Sequence, residues 1–130
     1  MADQQNNAKV VYQSTVTAVG ELVSDFRDQG LLVWFGENAP SELHEFSILH
    51  KVEHQERAPI PGDVIEINSD RFTVLAAGSV SSDNLLNLGH LDLKANGLTE
   101  AELPGDVNVE VCELPMVKVG DTLKVIAASN

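Results

Sequence analysis

Residues 61–77 read Pro61-Gly62-Asp63-Val64-Ile65-Glu66-Ile67-Asn68-Ser69-Asp70-Arg71-Phe72-Thr73-Val74-Leu75-Ala76-Ala77, and this stretch decides the fold. Pro59-Ile60-Pro61-Gly62-Asp63 is a strong turn signal. Val64, Ile65 and Ile67 then precede a polar Asn68-Ser69-Asp70 break, and Phe72, Val74 and Leu75 follow it, the pattern of a β-hairpin. The Gly-Asp pair that opens it recurs twice before a strand-like run, in PGDVNVEV from residue 104 and VGDTLKVI from residue 119. Each is expected to be a tight turn in which glycine takes positive φ and Asp bonds the turn backbone.

Strand chemistry extends outward in both directions. Val10, Val11, Tyr12, Thr15, Val16, Thr17 and Val19 form one strand ending at Gly20, and Leu31 to Phe35 forms a second, apolar on both faces. Phe46 to Val52, His90 to Lys94, Val107 to Cys112 and Leu123 to Ala127 read as further strands. Leu22, Val23 and Phe26 share a face of a short helix before Gly30. Ser41 is expected to cap a single helical turn, and Ser81 or Ser82 to cap a helix bearing Leu85, Leu86 and Leu88 that stops at Gly89. The sum is an all-β protein: a small closed or half-closed barrel of about seven short strands with one or two short helices. Residues 1–9 are polar and read as a disordered extension, leaving residues 10–130 as one domain.

The chain carries 20 Asp and Glu against 8 Lys and Arg, a net charge of −12, which excludes a broad basic face for nucleic acid and disfavours anionic lipid. No apolar run approaches the roughly 20 residues of a membrane-spanning helix, and the N-terminus lacks the apolar centre of a signal peptide. A single cysteine, Cys112, permits no intrachain disulfide, so a cytoplasmic protein held by packing is expected. Cys112 itself reads as a small buried hydrophobe in a strand, and Tyr12, Trp34 and Phe35 as core.

Four histidines hold the chemical interest: His44, His50, His54 and His90. On a regular strand His50 shares a face with Phe46, Ile48 and Val52, a neutral imidazole set into an apolar rim. A hydrogen-bonded core or rim residue is the commoner role of such a histidine. His44, His50 and His54 with Glu42, Glu45 or Glu53 could also supply metal ligands, although their spacing matches no zinc motif. Gly78-Ser79-Val80-Ser81-Ser82-Asp83-Asn84 is rich in small residues before a helix and could cradle an anion near His90, or be a plain helix start.

Three segments carry a family resemblance: VYQSTVTAVG from residue 11, LLVWFGENAPSELHEFSILH from residue 31, and AAGSVSSDNLLNLGHLDLKANGLTEAELPGDVNV from residue 76. Together they resemble the glucitol/sorbitol-specific enzyme IIA component of the bacterial phosphoenolpyruvate-dependent sugar phosphotransferase system, from about Tyr12 to Val125. The resemblance implies a phosphocarrier with a phosphohistidine intermediate. The histidine ending EFSILH, here His50, would accept a phosphoryl group from phospho-HPr and pass it to a cysteine of the IIB part of a IIB/IIC glucitol/sorbitol transporter, without metal or other cofactor. Gly78, Ser79 and His90 are then candidates for steadying the phosphate. The alternative from a different class is a non-catalytic β-barrel binding module whose histidines hold a metal or ligand.

Overall fold

Alternation of buried with less buried residues runs through five of the eight strands of the computed structural model, which describes residues 8–128. The strands are β1 (Val10–Val19), β2 (Leu31–Gly36), β3 (Ile48–Gln55), β4 (Val64–Ile67), β5 (Asp70–Ala77), β6 (Leu91–Lys94), β7 (Asp106–Val109) and β8 (Thr122–Ile126). They close into a barrel in the order β1-β3-β2-β6-β7-β5-β4-β8, with β8 returning to β1. The expected barrel therefore forms, closed and with eight strands. Only β2–β3 and β6–β7 are parallel; the other pairs are antiparallel.

Closure leaves no free sheet edge and gives the inward positions a common interior. Tyr12 and Val16 from β1, Leu32 and Trp34 from β2, Ile65 and Ile67 from β4, Phe72 and Val74 from β5, Leu91 and Leu93 from β6, and Leu123 and Val125 from β8 are all buried there. Two short helices pack on the outside: α1 (Val23–Asp28) against β2, and α2 (Ser81–Leu88) against β2 and β6. A 3-10 turn, Ser41–Phe46, lies between β2 and β3 and packs on α1, where Phe26 meets Phe46 edge to face at 5.9 Å.

The helix starts differ from the serine caps expected. Pro40 and Val80 occupy the cap positions, and neither helix start has a side-chain cap. Ser81 Oγ instead donates to the Gly78 carbonyl at 2.8 Å. Gly89 ends α2 in the left-handed region, as expected, at φ 65°. β7 stops at Val109, so Cys112 lies beyond the strand and is half-buried; burial and the nearby Glu110 push its thiol pKa up.

All three Gly-Asp turns form. Asp63, Asp106 and Asp121 each accept the backbone N–H three residues earlier, from Ile60 at 2.9 Å, Leu103 at 3.1 Å and Lys118 at 2.7 Å. In return each Asp donates its own N–H to that residue's carbonyl. Gly62 and Gly120 take φ of 96° and 94°, whereas Gly105 does not adopt positive φ. Its hydrogens instead leave room for Asn84, whose Nδ2 would lie 3.2 Å from a Cβ there.

The expected disordered extension falls, for residues 1–7, outside the described residues. Lys9 is held: its carbonyl accepts Ala127 N–H at 2.8 Å and its ammonium lies 2.9 Å from Glu56.

Asp63 does more than shape its turn. It is buried and takes Arg57 Nη1 at 2.6 Å as well as the N–H of Ala128 at 3.2 Å, tying the end of the chain to the β4 turn. Burial alone would raise its pKa, but Arg57 and the two backbone donors outweigh it and hold the carboxyl below its ordinary value. Stability from this group is present above the unfolded carboxyl value of about 3.9 and is lost as pH falls through the lower folded value. Asp63→Ala is expected to cost about 2–3 kcal/mol in denaturant unfolding at neutral pH, less than the roughly 3–5 of a fully buried pair because Arg57 keeps solvent contact. A cost under about 0.5 kcal/mol would make this a surface ion pair.

Candidate active site

His50 sits where β3 leaves the protection of β2. The last β2–β3 pair is Gly36↔His50, and beyond it β3 pairs only with β1. Ile48, Leu49 and His50 are accordingly buried, while every residue from Lys51 to Gln55 is exposed. The single apolar face expected across Phe46, Ile48, His50 and Val52 does not form. Phe46 belongs to the 3-10 turn, Val52 is exposed, and His54 reaches Glu56 at 2.7 Å in the outer part of the strand.

The imidazole is only 1% exposed, and both its nitrogens are engaged. Nε2 lies 2.7 Å from the Gly89 carbonyl, which only accepts, so Nε2 carries the proton and donates it. Nδ1 then holds the lone pair and accepts the hydroxyl proton of Ser14 at 2.6 Å. Ser14 pairs with Val52 and Val16 with His50, which places Ser14 diagonally across the ladder on the side where β1 faces the core. Trp34 meets the ring edge-on at 5.4 Å, and Tyr12 lies at 6.4 Å. Neither Tyr12 Oη nor Trp34 Nε1 has a partner among the described residues, so the ring's polar contacts are with Ser14 and Gly89.

Burial sets the electrostatics. It pushes the His50 pKa below the ordinary imidazole value, and the Gly89 carbonyl opposes this only in part, so the ring is neutral at pH 7. Burial likewise pushes the Tyr12 phenol up to about 12, leaving it uncharged.

The end of α2 is seated on β2 by two glycines. A methyl group at Gly89 would lie 2.7 Å from Gly36 N and 3.3 Å from His50 Nε2, so the approach that places the carbonyl over the ring requires glycine. Beside them opens a cavity of about 560 Å³ lined by His50, Gly36 and Gly89, by the apolar Phe35, Leu43, Leu86 and Leu88, and by the charged Glu37 and Lys51. Ser14 does not line it. The residue that partners Nε2, Gly89, thus lines the cavity, and the residue that partners Nδ1, Ser14, does not.

The other residues singled out from sequence disperse. Gly78 and Ser79 precede α2, at the opposite end of the helix from Gly89, and do not line the His50 cavity. Gly78 packs against the Leu103 and Pro104 carbonyls, donates its N–H to Asp106 and accepts from Ser81, which uses the backbone that was expected to cradle an anion. His90 follows Gly89, but its ring stacks on Phe35 at 4.1 Å and 9° and its Nε2 lies 3.1 Å from Asp92. It supports the cavity wall from behind. His44 donates Nε2–H to the Ala39 carbonyl at 2.8 Å, bracing the loop that forms the cavity's rim. His44, His50 and His54 thus have separate partners, and no group of three or more His, Cys, Asp or Glu side chains converges among the described residues.

Ser14, Gly36 and the Gly89 carbonyl escaped the sequence reading. Ser14 had a signal: it interrupts the apolar series Tyr12, Ser14, Val16 at an inward position, where a polar side chain needs a partner. The Gly89 carbonyl had none, since only the docking of α2 brings it to the ring.

No helix among the described residues is long and apolar enough to cross a membrane. The fold resembles that of the PTS system IIA component from Enterococcus faecalis V583 in its crystal structure, with a TM-score of 0.80 and 24% identity over 88% of this chain and 99% of that one. In sequence, the chain is 40% identical to the PTS system glucitol/sorbitol-specific EIIA components of Shigella flexneri and Escherichia coli K12, over 77% of this chain and 81% of each relative. Residues 11–124 match the family described as PTS system glucitol/sorbitol-specific IIA component, and the chain belongs to that family.

Proposed function

We propose that His50 is the residue on which this IIA component carries its phosphoryl group, taking it from phospho-HPr and giving it to the cysteine of the IIB part of a glucitol/sorbitol transporter in the cytoplasm. The observation that carries the assignment is that His50, of the four histidines, lines the cavity, and does so as a buried neutral ring. A neutral imidazole has the lone pair that nucleophilic catalysis needs.

The two nitrogens differ in access. Nδ1 is closed off by the wholly buried Ser14, so attack goes through Nε2, on the cavity side. Nε2 gives up its bond to the Gly89 carbonyl and loses its proton to solvent while Nδ1 takes one up, and with the lone pair now on Nε2 it forms a bond to phosphorus. The donor's P–N bond breaks, and its electron pair stays on the donor's ring nitrogen. In the second step the IIB thiolate attacks phosphorus and the electron pair of the P–Nε2 bond returns to His50. Leu88, 57% exposed, and Val52, 38% exposed, flank the cavity mouth. A partner seated on them excludes water from the labile P–N bond. Gly78 and Ser79 have no place in this mechanism, and His90 contributes through Phe35 rather than by touching phosphate.

Intact-mass spectrometry after incubation with phosphoenolpyruvate, enzyme I and HPr tests the assignment. Wild type is expected to gain one acid-labile phosphoryl group and folded His50→Ala none; absence of labelling in both, with active donors, points to the binding-module alternative. His90→Ala is expected to slow transfer by about two- to fivefold through a loosened cavity wall, comparable to losing one packing contact. An unchanged rate removes it from the site.

The lowered pKa of His50 has its own consequence. Unfolding releases the ring to bind a proton at its ordinary value, so stability is full above about pH 6.5 and declines as pH falls towards the lower folded value. An NMR titration should find the His50 midpoint below that of a free imidazole, and a midpoint above it would refute the buried neutral ring. HPr in this system presents positive charge near its own histidine, opposite to the net −12 of this chain. Association is expected to slow as salt rises, and a salt-independent on-rate would count against steering.

A further inference from the structure

We infer that Ser14 is a positioning residue for the transfer, its hydroxyl donating to His50 Nδ1 in the resting carrier and accepting from Nδ1–H in the phosphorylated one. The inference rests on the assignment of His50 as carrier and adds the group that keeps its ring in place through the cycle.

The chemistry demands such a group. In the resting arrangement the ring proton is on Nε2, held by the Gly89 carbonyl. A ring bearing phosphorus on Nε2 carries its proton on Nδ1, so the tautomer changes once in each cycle. One proton leaves Nε2 for solvent and one reaches Nδ1 from solvent during a transient opening of the Ser14 contact, which re-forms with its direction reversed, and the ring's charge is the same before and after. The two partners respond differently. The Gly89 carbonyl can only accept, so it releases Nε2 when the proton goes. A hydroxyl both donates and accepts, and it needs only to rotate its own hydrogen to follow the change.

The surroundings favour serine for this role. Ser14 is wholly buried on the longest strand of the barrel, 2.6 Å from Nδ1, so the contact is short and shielded from competing water. A carboxylate there would only accept, and would place a charge in the core beside Trp34 and Tyr12. An apolar residue would leave Nδ1 unpaired in a buried site in both states. Serine is also small enough to fit across the ladder from Val52 without displacing the ring.

The test compares Ser14→Ala and Ser14→Thr with wild type, each checked for folding, in rates of labelling by phospho-HPr. Ser14→Ala is expected to lower the saturating rate roughly tenfold, leave the half-saturating phospho-HPr concentration unchanged, and shorten the lifetime of the phosphorylated chain. Ser14→Thr, which keeps the hydroxyl, is expected to restore most of the rate. A merely structural serine would alter stability and leave saturating rate and lifetime alone; that result overturns the inference. If the Thr variant fails to fold, 15N-labelled wild type decides: in the phosphorylated chain the Nδ1 proton is expected to be protected from solvent exchange, and free exchange overturns the inference. Wild type that takes no label at all removes the carrier assignment itself, an outcome distinct from a labelled wild type matched by Ser14→Ala.

Discussion

The site depends on β1 being bonded along both edges. It pairs with β3 on one side and β8 on the other, and so joins the start of the sheet to its end. This closure gives the barrel an interior, and it also sets Ser14 diagonally across from His50. The register shifts between Gln13 and Ser14 and between Val16 and Ala18 matter here, because each changes which β3 residue a β1 side chain faces. The placing of His50 and of its partner Ser14 is thus a consequence of one strand pairing.

A buried imidazole is a demanding object. It must be neutral, and both nitrogens must be satisfied within the protein. The barrel supplies one partner from inside, Ser14, and one from a helix laid over the rim, the Gly89 carbonyl. The two differ in kind. Ser14 is part of the sheet and its hydroxyl can both donate and accept, whereas Gly89, which follows an eight-residue helix, offers a carbonyl that only accepts. This asymmetry suits the role proposed for His50, in which one nitrogen is held at rest and given up to phosphorus when a donor arrives.

Much of the architecture was legible in the sequence for local reasons. The Gly-Asp turns announced themselves because Asp reaches back three residues to its own turn backbone, an interaction contained within four residues. Gly89 was legible as a helix stop for the same reason. Other features depend on longer-range contacts. Gly78 and Ser79 look like an anion cradle in isolation, but Asp106, Leu103 and Pro104, distant in sequence, claim their surroundings. Val52 alternates correctly with His50 yet is exposed, because β2 has already ended at Gly36. Periodicity reports which residues share a face and cannot report how far that face is covered.

By itself the sequence determined the all-β class, the hairpin and its turns, the acidic charge that leaves few cations for a broad basic face, and, through EFSILH and its neighbouring segments, the histidine to suspect. These follow from local propensity, short-range hydrogen bonding and residue identity, all of which are properties of contiguous chain. The tertiary structure decided that His50 is buried, that burial lowers its pKa, and that Ser14 and the Gly89 carbonyl are its partners. Those facts depend on barrel closure and on the docking of α2 against β2, which bring together residues 36 and 39 positions away from His50. No local pattern encodes such a meeting.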